Sequence, residues 1–318
     1  LLAHILALCT TNLNDGQNMS QSPCFWLWCP CTCAAAIVVV TAIAAVAAVT
    51  AIVAAVTTEL AALKANIAES NQFWDRETGR FFMRLAFTAP DGVGRDKIER
   101  SLKPAIERFD MRTELVDQSR KKKILVMVSR FDHAMLHLLY QIRVGWLKAE
   151  VAGIVSNHED MRSLVEWHGI PYYPVPVNPQ DKQPAFDEVS RLVKQHDAEV
   201  VVLARYMQIL PPQLCQAYAE KVINIHHSFL PSFVGAKPYH QAALRGVKLI
   251  GATCHYVTSE LDQGPIIEQD VIRIDHSDVP EELVRSGKDV EKAVLARGLR
   301  YHLEDRVLVH GNKTVVFR

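Results

Sequence analysis

The chain has 318 residues, of which 49% are hydrophobic, and its 35 basic and 35 acidic residues leave no formal net charge at pH 7. This length exceeds that of a usual single domain, so two domains with sizeable cores are expected. A chain without excess positive charge is not predicted to bind nucleic acid, and the basic run at 120–123 is interpreted as a solvated linker.

The first fifty residues have an atypical composition. Five of the seven cysteines lie here, but Cys29, Cys31 and Cys33 lack the second cluster that a zinc site would need, so no metal is predicted. Residues 34–56 carry no charge and are long enough to cross a bilayer. Their alanine-dominated composition and the absence of Lys or Arg from the first 60 residues count against a membrane segment. We therefore treat 1–50 as a separate segment, and the sequence leaves open whether it belongs to the fold.

Residues 51–118 are predicted to form a small α+β module. Apolar residues recur at helical spacing from Ile52 to Leu63 and again from Ile98 to Phe109, and two strand-like stretches lie between them, at 66–73 and 81–87. This helix–strand–strand–helix order resembles an ACT-type regulatory module with a ferredoxin-like fold. Such a module would need one further strand at each end.

The ACT resemblance implies two further properties. Modules of this kind commonly bind an amino-acid effector, and they usually pair across subunits, so a homo-oligomer is expected. The chain departs from the ACT pattern at 47–51, where the polar and glycine residues of a ligand-binding loop are replaced by Ala-Ala-Val-Thr-Ala. This difference counts against an effector site.

Residues 121–318 show an alternation of strands and helices. The alternation predicts a doubly wound, mostly parallel sheet whose ligands bind at the carboxyl ends of the strands. The loops after Ser129, Ala204 and His226 should then share one crevice. Only Cys215 and Cys254 occur in this part, which is typical of a reduced, cytoplasmic protein.

A strand at 222–226 carries the first candidate catalytic residues. Side chains alternate along a strand, so Asn224 and His226 are predicted to point the same way. Asp262 lies further along the chain in a turn bounded by glycine and proline. An amide, an imidazole and a carboxylate can serve as oxyanion donor, general acid–base and orienting group, so the sequence predicts acyl-transfer chemistry.

The spacing of these motifs resembles the formyl-folate transferase and hydrolase family. The pattern is Asn-x-His, then Leu-Pro-Ser-Phe, then Asp-x-Gly-Pro-Ile, and the resemblance extends over residues 121–318. It implies a formyltransferase-type sheet and 10-formyltetrahydrofolate as substrate, without a metal or another cofactor. It also implies catalytic roles for Asn224, His226 and Asp262.

The segment 205–211 resembles the pterin-binding loop of that family. Its apolar side chains and backbone groups would suit a flat ring with an amide-like edge. Lys237 is the candidate for attracting the glutamate tail of the folate. By strand alternation, His227 is expected to point away from Asn224 and His226 and to shape the loop. The predicted substrate-binding residues are Arg205, Tyr206, Met207, Gln208, Ile209, Leu210, His227, Gly235 and Lys237.

The loop at 129–133 distinguishes between related activities. Transferases of the family resemble one another in a glycine-rich turn here, whose backbone amides approach the phosphate of the acceptor. This chain has no glycine in the loop but has Phe131 and Asp132, and His227 stands where the transferases typically have proline. These differences favour water as the formyl acceptor.

The resemblance therefore implies hydrolysis of 10-formyltetrahydrofolate to tetrahydrofolate and formate. Such an enzyme would balance the one-carbon pool and supply formate for purine synthesis. Two alternatives stay open at this point. One is a phosphoribosylglycinamide formyltransferase, and the other is a non-catalytic, amino-acid-sensing regulatory protein.

Overall fold

The computed structural model describes residues 35–43, 46–231 and 238–318. They form a small antiparallel module followed by a larger, mostly parallel α/β sheet, which confirms the predicted fold class. Within these ranges, no helix combines the length and the apolar composition that crossing a bilayer requires. The predicted cysteine-rich stretch before residue 35 lies outside the described residues.

The N-terminal module is a four-stranded sheet covered by two helices. Its elements are β1 (Ala35–Ile43), α1 (Val46–Ala62), β2 (Asn66–Trp74), β3 (Arg80–Thr88), α2 (Arg95–Arg108) and β4 (Arg112–Asp117). The strands pair antiparallel in the order β2-β3-β1-β4. Ile52, Val56 and Leu60 recur at four-residue spacing on α1, so they share one face and pack in the same core as Ile98 and Leu102 of α2.

The predicted boundary between residues 50 and 51 is wrong, because the module includes at least residues 35–43. Strand β1 pairs on both sides, with β3 and with β4, and so lies inside the sheet. Alternate residues of β1, namely Ala36, Val38, Val40 and Ala42, are buried in the module core. The apolar run at 34–56 therefore contains a buried strand and the start of α1, and both further strands that the ACT-like pattern required are present.

The second part of the chain is built on a seven-stranded sheet of order β11-β10-β9-β8-β5-β6-β7. Strands β5 to β9 run parallel, whereas β10 and β11 are antiparallel to their neighbours. The elements are β5 (Lys122–Val128), α3 (His133–Arg143), β6 (Ala149–Ser156), α4 (Arg162–Trp167), β7 (Tyr172–Pro174), α5 (Gln183–Gln195), β8 (Val200–Leu203), α6 (Pro212–Ala217), β9 (Val222–His226), α7 (Pro238–Arg245), β10 (Leu249–Tyr256), β11 (Ile266–Arg273), α8 (Pro280–Leu303), β12 (Val307–His310) and β13 (Lys313–Val316).

Helices cover both faces of this sheet, as the doubly wound prediction required. Along β5, Val126 and Val128 pack with residues of α3 and α8, whereas Leu125 and Met127 pack with residues of α5 and α6 on the opposite face. Both sets of side chains are fully buried. This explains why the central parallel strands are continuously apolar in sequence rather than alternating.

Helix α8 connects the cavity described below with the N-terminal module. Beyond its last turn, the carbonyl oxygens of Glu304 and Asp305 accept hydrogen bonds from the guanidinium of Arg84, at 3.0 and 3.1 Å. Arg84 belongs to β3 and is buried, and it also pairs with Glu69 at 2.7 Å. A cation at a helix carboxyl end is favourable because it satisfies terminal carbonyls and complements the helix dipole.

Candidate active site

A cavity of about 530 Å³ lies at the carboxyl ends of β8 and β9. Phe131 and His133 after β5, Arg205 after β8 and His227 after β9 all line it. The three loops therefore share one crevice, as predicted. This is where the carboxyl ends of parallel strands generally place ligands in an open α/β sheet.

Asn224 and His226 lie on β9 and both line this cavity. His226 is 6% exposed, and its Nδ1 lies 3.2 Å from Oδ1 of Asp262. A carboxylate oxygen can only accept, so this geometry places a hydrogen on Nδ1 and leaves Nε2 as the basic nitrogen. Nε2 is buried and has no hydrogen-bond partner among the described residues.

Asp262 reaches His226 from a tight turn. Its own backbone is left-handed, with φ of 56°. A Cβ atom added at Gly264 would stand 1.7 Å from the carbonyl oxygen of Tyr256, so only glycine fits the close approach that closes this turn. Burial opposes ionisation of the Asp262 carboxyl, but the hydrogen bond from His226 holds its pKa below the ordinary value.

His255 belongs to the site although the sequence analysis did not single it out. On the antiparallel pair β9–β10 it stands directly opposite Asn224, and its Nε2 lies 3.2 Å from the Asn224 amide nitrogen. Its Nδ1 lies 2.8 Å from the carbonyl oxygen of Tyr256, which can only accept a hydrogen bond. Burial lowers the pKa of His255 and so favours the neutral ring, whose Nε2 then accepts from the Asn224 amide. The Asn224 amide is thereby oriented, and no other hydrogen-bond partner of its nitrogen occurs among the described residues.

Residues 205–210 form one wall of the cavity, so the six predicted substrate-binding residues of the segment 205–211 all line it. Met207 and Ile209 are 52% and 60% exposed and offer an apolar surface. The backbone N–H of Met207 donates to Oγ of Ser129 at 3.0 Å, and that hydroxyl donates to Asn157 at 2.7 Å. The end of β5 therefore holds this wall in place.

His227 differs from its expected orientation. It lines the same cavity as Asn224 and His226, and its ring centroid lies 5.2 Å from that of His226. The expectation was wrong because β9 ends at His226, so strand alternation does not apply to the next residue. The predictions for Gly235 and Lys237 lie outside the described residues.

The buried position of His227 keeps its imidazole neutral. Burial is the main cause that lowers the pKa of His227 to about 3, and the nearby charge of Arg205 lowers it further. In the unfolded chain the same imidazole has an ordinary pKa near 6.5. Between pH values near 6.5 and near 3, the imidazole is therefore protonated in the unfolded state but not in the folded state. The free energy of unfolding falls as the pH is lowered through this range.

We expect a His227→Gln variant to lose less stability on acidification than the wild type. The difference should be about 1–2.5 kcal/mol between about pH 6.5 and 4.5, measured from urea unfolding at each pH. His276→Gln is the matched control, because that side chain is 86% exposed and should leave the pH dependence unchanged. Equal slopes for the wild type and both variants would contradict a neutral, buried His227.

The loop at 129–133 places an aromatic ring in the cavity. Phe131 has two cations near its ring, with the guanidinium of Arg205 at 5.1 Å and the ammonium of Lys288 at 5.7 Å from its centroid. Lys288 and the buried Glu291 come from α8, and the sequence analysis missed both. No motif marked them, because each is a charged residue within an otherwise ordinary amphipathic helix.

The comparisons with known proteins fit this geometry. Residues 122–299 match the family described as Formyl transferase. A formyltetrahydrofolate deformylase of Corynebacterium sp. (strain P-1) is 48% identical over 255 residues, which make up 79% of this chain and 88% of the relative. The crystal structure of a formyltetrahydrofolate deformylase from Pseudomonas syringae pv. tomato str. DC3000 is similar with a TM-score of 0.85 and 56% identity, and it covers 89% of this chain and 94% of that chain.

A transformylase is similar over a smaller part of the chain. Glycinamide ribonucleotide transformylase 1 from Symbiobacterium toebii shares 25% identity with a TM-score of 0.59, and it covers 62% of this chain and 95% of that chain. The two deformylases are therefore similar to this chain at higher identity than the transformylase is, and the similarity to the solved deformylase extends over the N-terminal module as well.

Proposed function

This chain belongs to the formyl transferase family, among the formyltetrahydrofolate deformylases, and we propose that it hydrolyses 10-formyltetrahydrofolate to tetrahydrofolate and formate. The observation that carries this proposal is the convergence of Asn224, His226 and Asp262 in one cavity with an apolar wall. These groups can activate water and stabilise the charge that develops on a formyl oxygen.

The first step is addition of water to the formyl carbon. Nε2 of His226 takes a proton from the attacking water while the new C–O bond forms and the carbonyl electron pair moves onto oxygen. The free N–H of Asn224 donates to this oxyanion, an interaction that strengthens as the charge develops. Asp262 accepts from Nδ1 of His226 and stabilises the imidazolium that results.

The second step is collapse of the tetrahedral intermediate. The bond between the formyl carbon and N10 breaks, and the proton held on Nε2 of His226 passes to N10, which leaves as the secondary amine of tetrahydrofolate. Formic acid remains and loses its acidic proton to solvent as formate. Each atom of the added water is accounted for, and His226 returns to its starting state.

Water is the proposed acceptor because the loop at 129–133 is unsuited to a phosphorylated amine. It places the ring of Phe131 in the cavity, it carries the acidic residue Asp132, and it contains no glycine to let several backbone amides converge on a phosphate. Asp132 stands at the start of α3 and makes no side-chain hydrogen bond to its first turn.

The proposal is tested by incubating the purified protein with 10-formyltetrahydrofolate and no amine acceptor. We expect tetrahydrofolate and formate to appear in equal amounts. Turnover that starts only when glycinamide ribonucleotide is added would identify a transferase, and binding of the folate without turnover under either condition would support a non-catalytic protein.

Several properties of the protein remain predictions that follow from the same family. We propose that the hydrolase acts in the cytoplasm, that it balances the one-carbon pool, and that its formate feeds purine synthesis. An amino-acid effector at the ACT-like module and a homo-oligomer formed through that module are likewise proposals. Sedimentation of the purified protein, with and without amino acids, would test the last two together.

A further inference from the structure

Glu291 is a buried carboxylate in the cavity wall, apart from the groups that carry the proposed chemistry. It is 1% exposed, and its oxygens accept hydrogen bonds from Nε2 of His133 at 2.9 Å and from the hydroxyl of Tyr239 at 2.5 Å. Nε of Arg205 lies 3.3 Å from Oε2 of Glu291. An ionised carboxylate is costly to bury unless it is paired and hydrogen-bonded, and this one has both kinds of partner.

Glu291 is ionised in the folded protein. Burial alone would raise the pKa of this carboxyl, but the hydrogen bond from His133, the charge of Arg205 and the hydrogen bond from Tyr239 together hold it below the ordinary value. The pKa of the Tyr239 hydroxyl is raised, chiefly by burial and also by Glu291, so the phenol keeps its proton and acts as the donor.

The three partners come from three different cavity-lining elements. His133 begins α3, Arg205 begins the wall at 205–210, and Tyr239 lies in α7. One carboxylate from α8 therefore joins these elements at the same edge of the sheet.

Two backbone features show that this arrangement is closely fitted. Arg205 has φ of 66°, a left-handed conformation that a non-glycine residue keeps only when its surroundings enforce it. Gly287 lies one turn before Glu291, and a Cβ atom there would stand 2.2 Å from Cζ of Tyr239. The missing side chain at Gly287 is thus what allows the Tyr239 hydroxyl to reach the carboxylate.

We propose that Glu291 is a positioning residue that holds Arg205, and through it the wall at 205–210, in the conformation that accepts the folate ring. The inference rests on the proposed function, since it names that wall as the folate-binding surface. Both oxygens of Glu291 are engaged by protein groups, so Glu291 is assigned no direct part in the chemical step. Its substitution should therefore weaken folate binding and leave the rate of the chemical step nearly intact.

The test compares Glu291→Gln with Glu268→Gln. Glu268 is also a buried glutamate, 6% exposed and facing arginines, but it lies on β11 away from the cavity. We expect Glu291→Gln to raise KM about 10- to 100-fold, with kcat little changed. The substitution removes the negative charge that compensates the buried guanidinium of Arg205, so the wall that Arg205 begins is no longer held in place. Glu268→Gln should leave both constants close to the wild-type values. The dissociation constant for tetrahydrofolate, measured by calorimetry, should rise in parallel with KM.

Tyr239→Phe provides a second test that keeps the ring packed against Gly287. It removes one hydrogen bond to Glu291 and should raise KM about 3- to 10-fold. If Glu291→Gln does not fold, the KM and tetrahydrofolate affinity of Tyr239→Phe test the positioning role of Glu291. An unchanged KM and tetrahydrofolate affinity in either folded variant, or a loss confined to kcat, would overturn the positioning role. A wild type that binds tetrahydrofolate but releases no formate would instead contradict the proposed function, and the binding measurement would still test Glu291.

Discussion

Replacing His226 with glutamine should slow formate release about 10²- to 10⁴-fold, the usual contribution of a general acid–base group. Glutamine keeps a polar side chain but has no nitrogen that can take a proton from water and return it to N10. The loss should appear in kcat, because His226 is proposed to act on the reacting atoms, whereas the apolar wall at 205–210, which lines the cavity, is proposed to bind the folate equally in the ground state and the transition state.

The measurement for His226→Gln is the steady-state rate of formate release together with tetrahydrofolate binding. Binding should stay near the wild-type value. His276→Gln is the matched control, since that imidazole also pairs with an aspartate but is exposed and outside the cavity. Turnover of His226→Gln at the wild-type rate would show that another group carries the proton.

Replacing Asn224 with alanine should lower kcat about 10²- to 10³-fold, which corresponds to about 2.7–4 kcal/mol for one oxyanion donor. The amide is held by His255, so its orientation is already set before substrate binds. This preorganisation is why a single neutral donor is expected to have so large an effect. Ground-state binding of the folate should change little, because the oxyanion exists only during the reaction.

The control for Asn224→Ala is Asn178→Ala, an exposed asparagine whose side chain accepts a hydrogen bond from the backbone of Gln180. Asn178→Ala should keep the wild-type kcat. Asn224→Asp offers a second check, since it puts a carboxylate where a donor is needed and should be at least as slow as alanine. A kcat for Asn224→Ala close to the wild-type value would remove Asn224 from the proposed mechanism.

Local periodicity was sufficient to predict part of the site. Asn224 and His226 are two residues apart on one strand, so the alternation of a strand alone places them on one face. The same rule misled for His227, because it lies just past the end of β9, where the chain turns. Periodicity is informative only inside an element, and the end of a strand is set by contacts that a short window of sequence does not contain.

The residues that the sequence analysis missed are brought to the site by long-range pairing. His255 faces Asn224 because of the antiparallel register between β9 and β10, and Glu291 reaches Arg205 because α8 packs across the sheet. Neither register nor helix packing has a local signal around these residues. Asp262 was chosen because its carboxylate completes the set with Asn224 and His226, and the family resemblance supported this choice, since an aspartate in a Gly-Pro turn is common by itself.

The strand at 35–43 shows a third reason why the sequence was insufficient. Its Ala-Val-Ile composition, continuing into α1, fits a buried strand, a buried helix and a bilayer span almost equally well. The partners that decide between them, β3 and β4, lie some 40 residues or more downstream. The sequence did predict that the module needed a strand here, but it supplied no evidence that this stretch was the strand.

The most direct test of the central claim is turnover in water labelled with oxygen-18. The purified protein is given 10-formyltetrahydrofolate without an amine acceptor, and the formate is analysed by mass spectrometry. If water adds to the formyl carbon in the site formed by Asn224, His226 and Asp262, each formate molecule carries one labelled oxygen, and this product is nearly lost in the His226→Gln and Asn224→Ala variants. Unlabelled formate, or labelled formate released at the wild-type rate by both variants, would contradict the account.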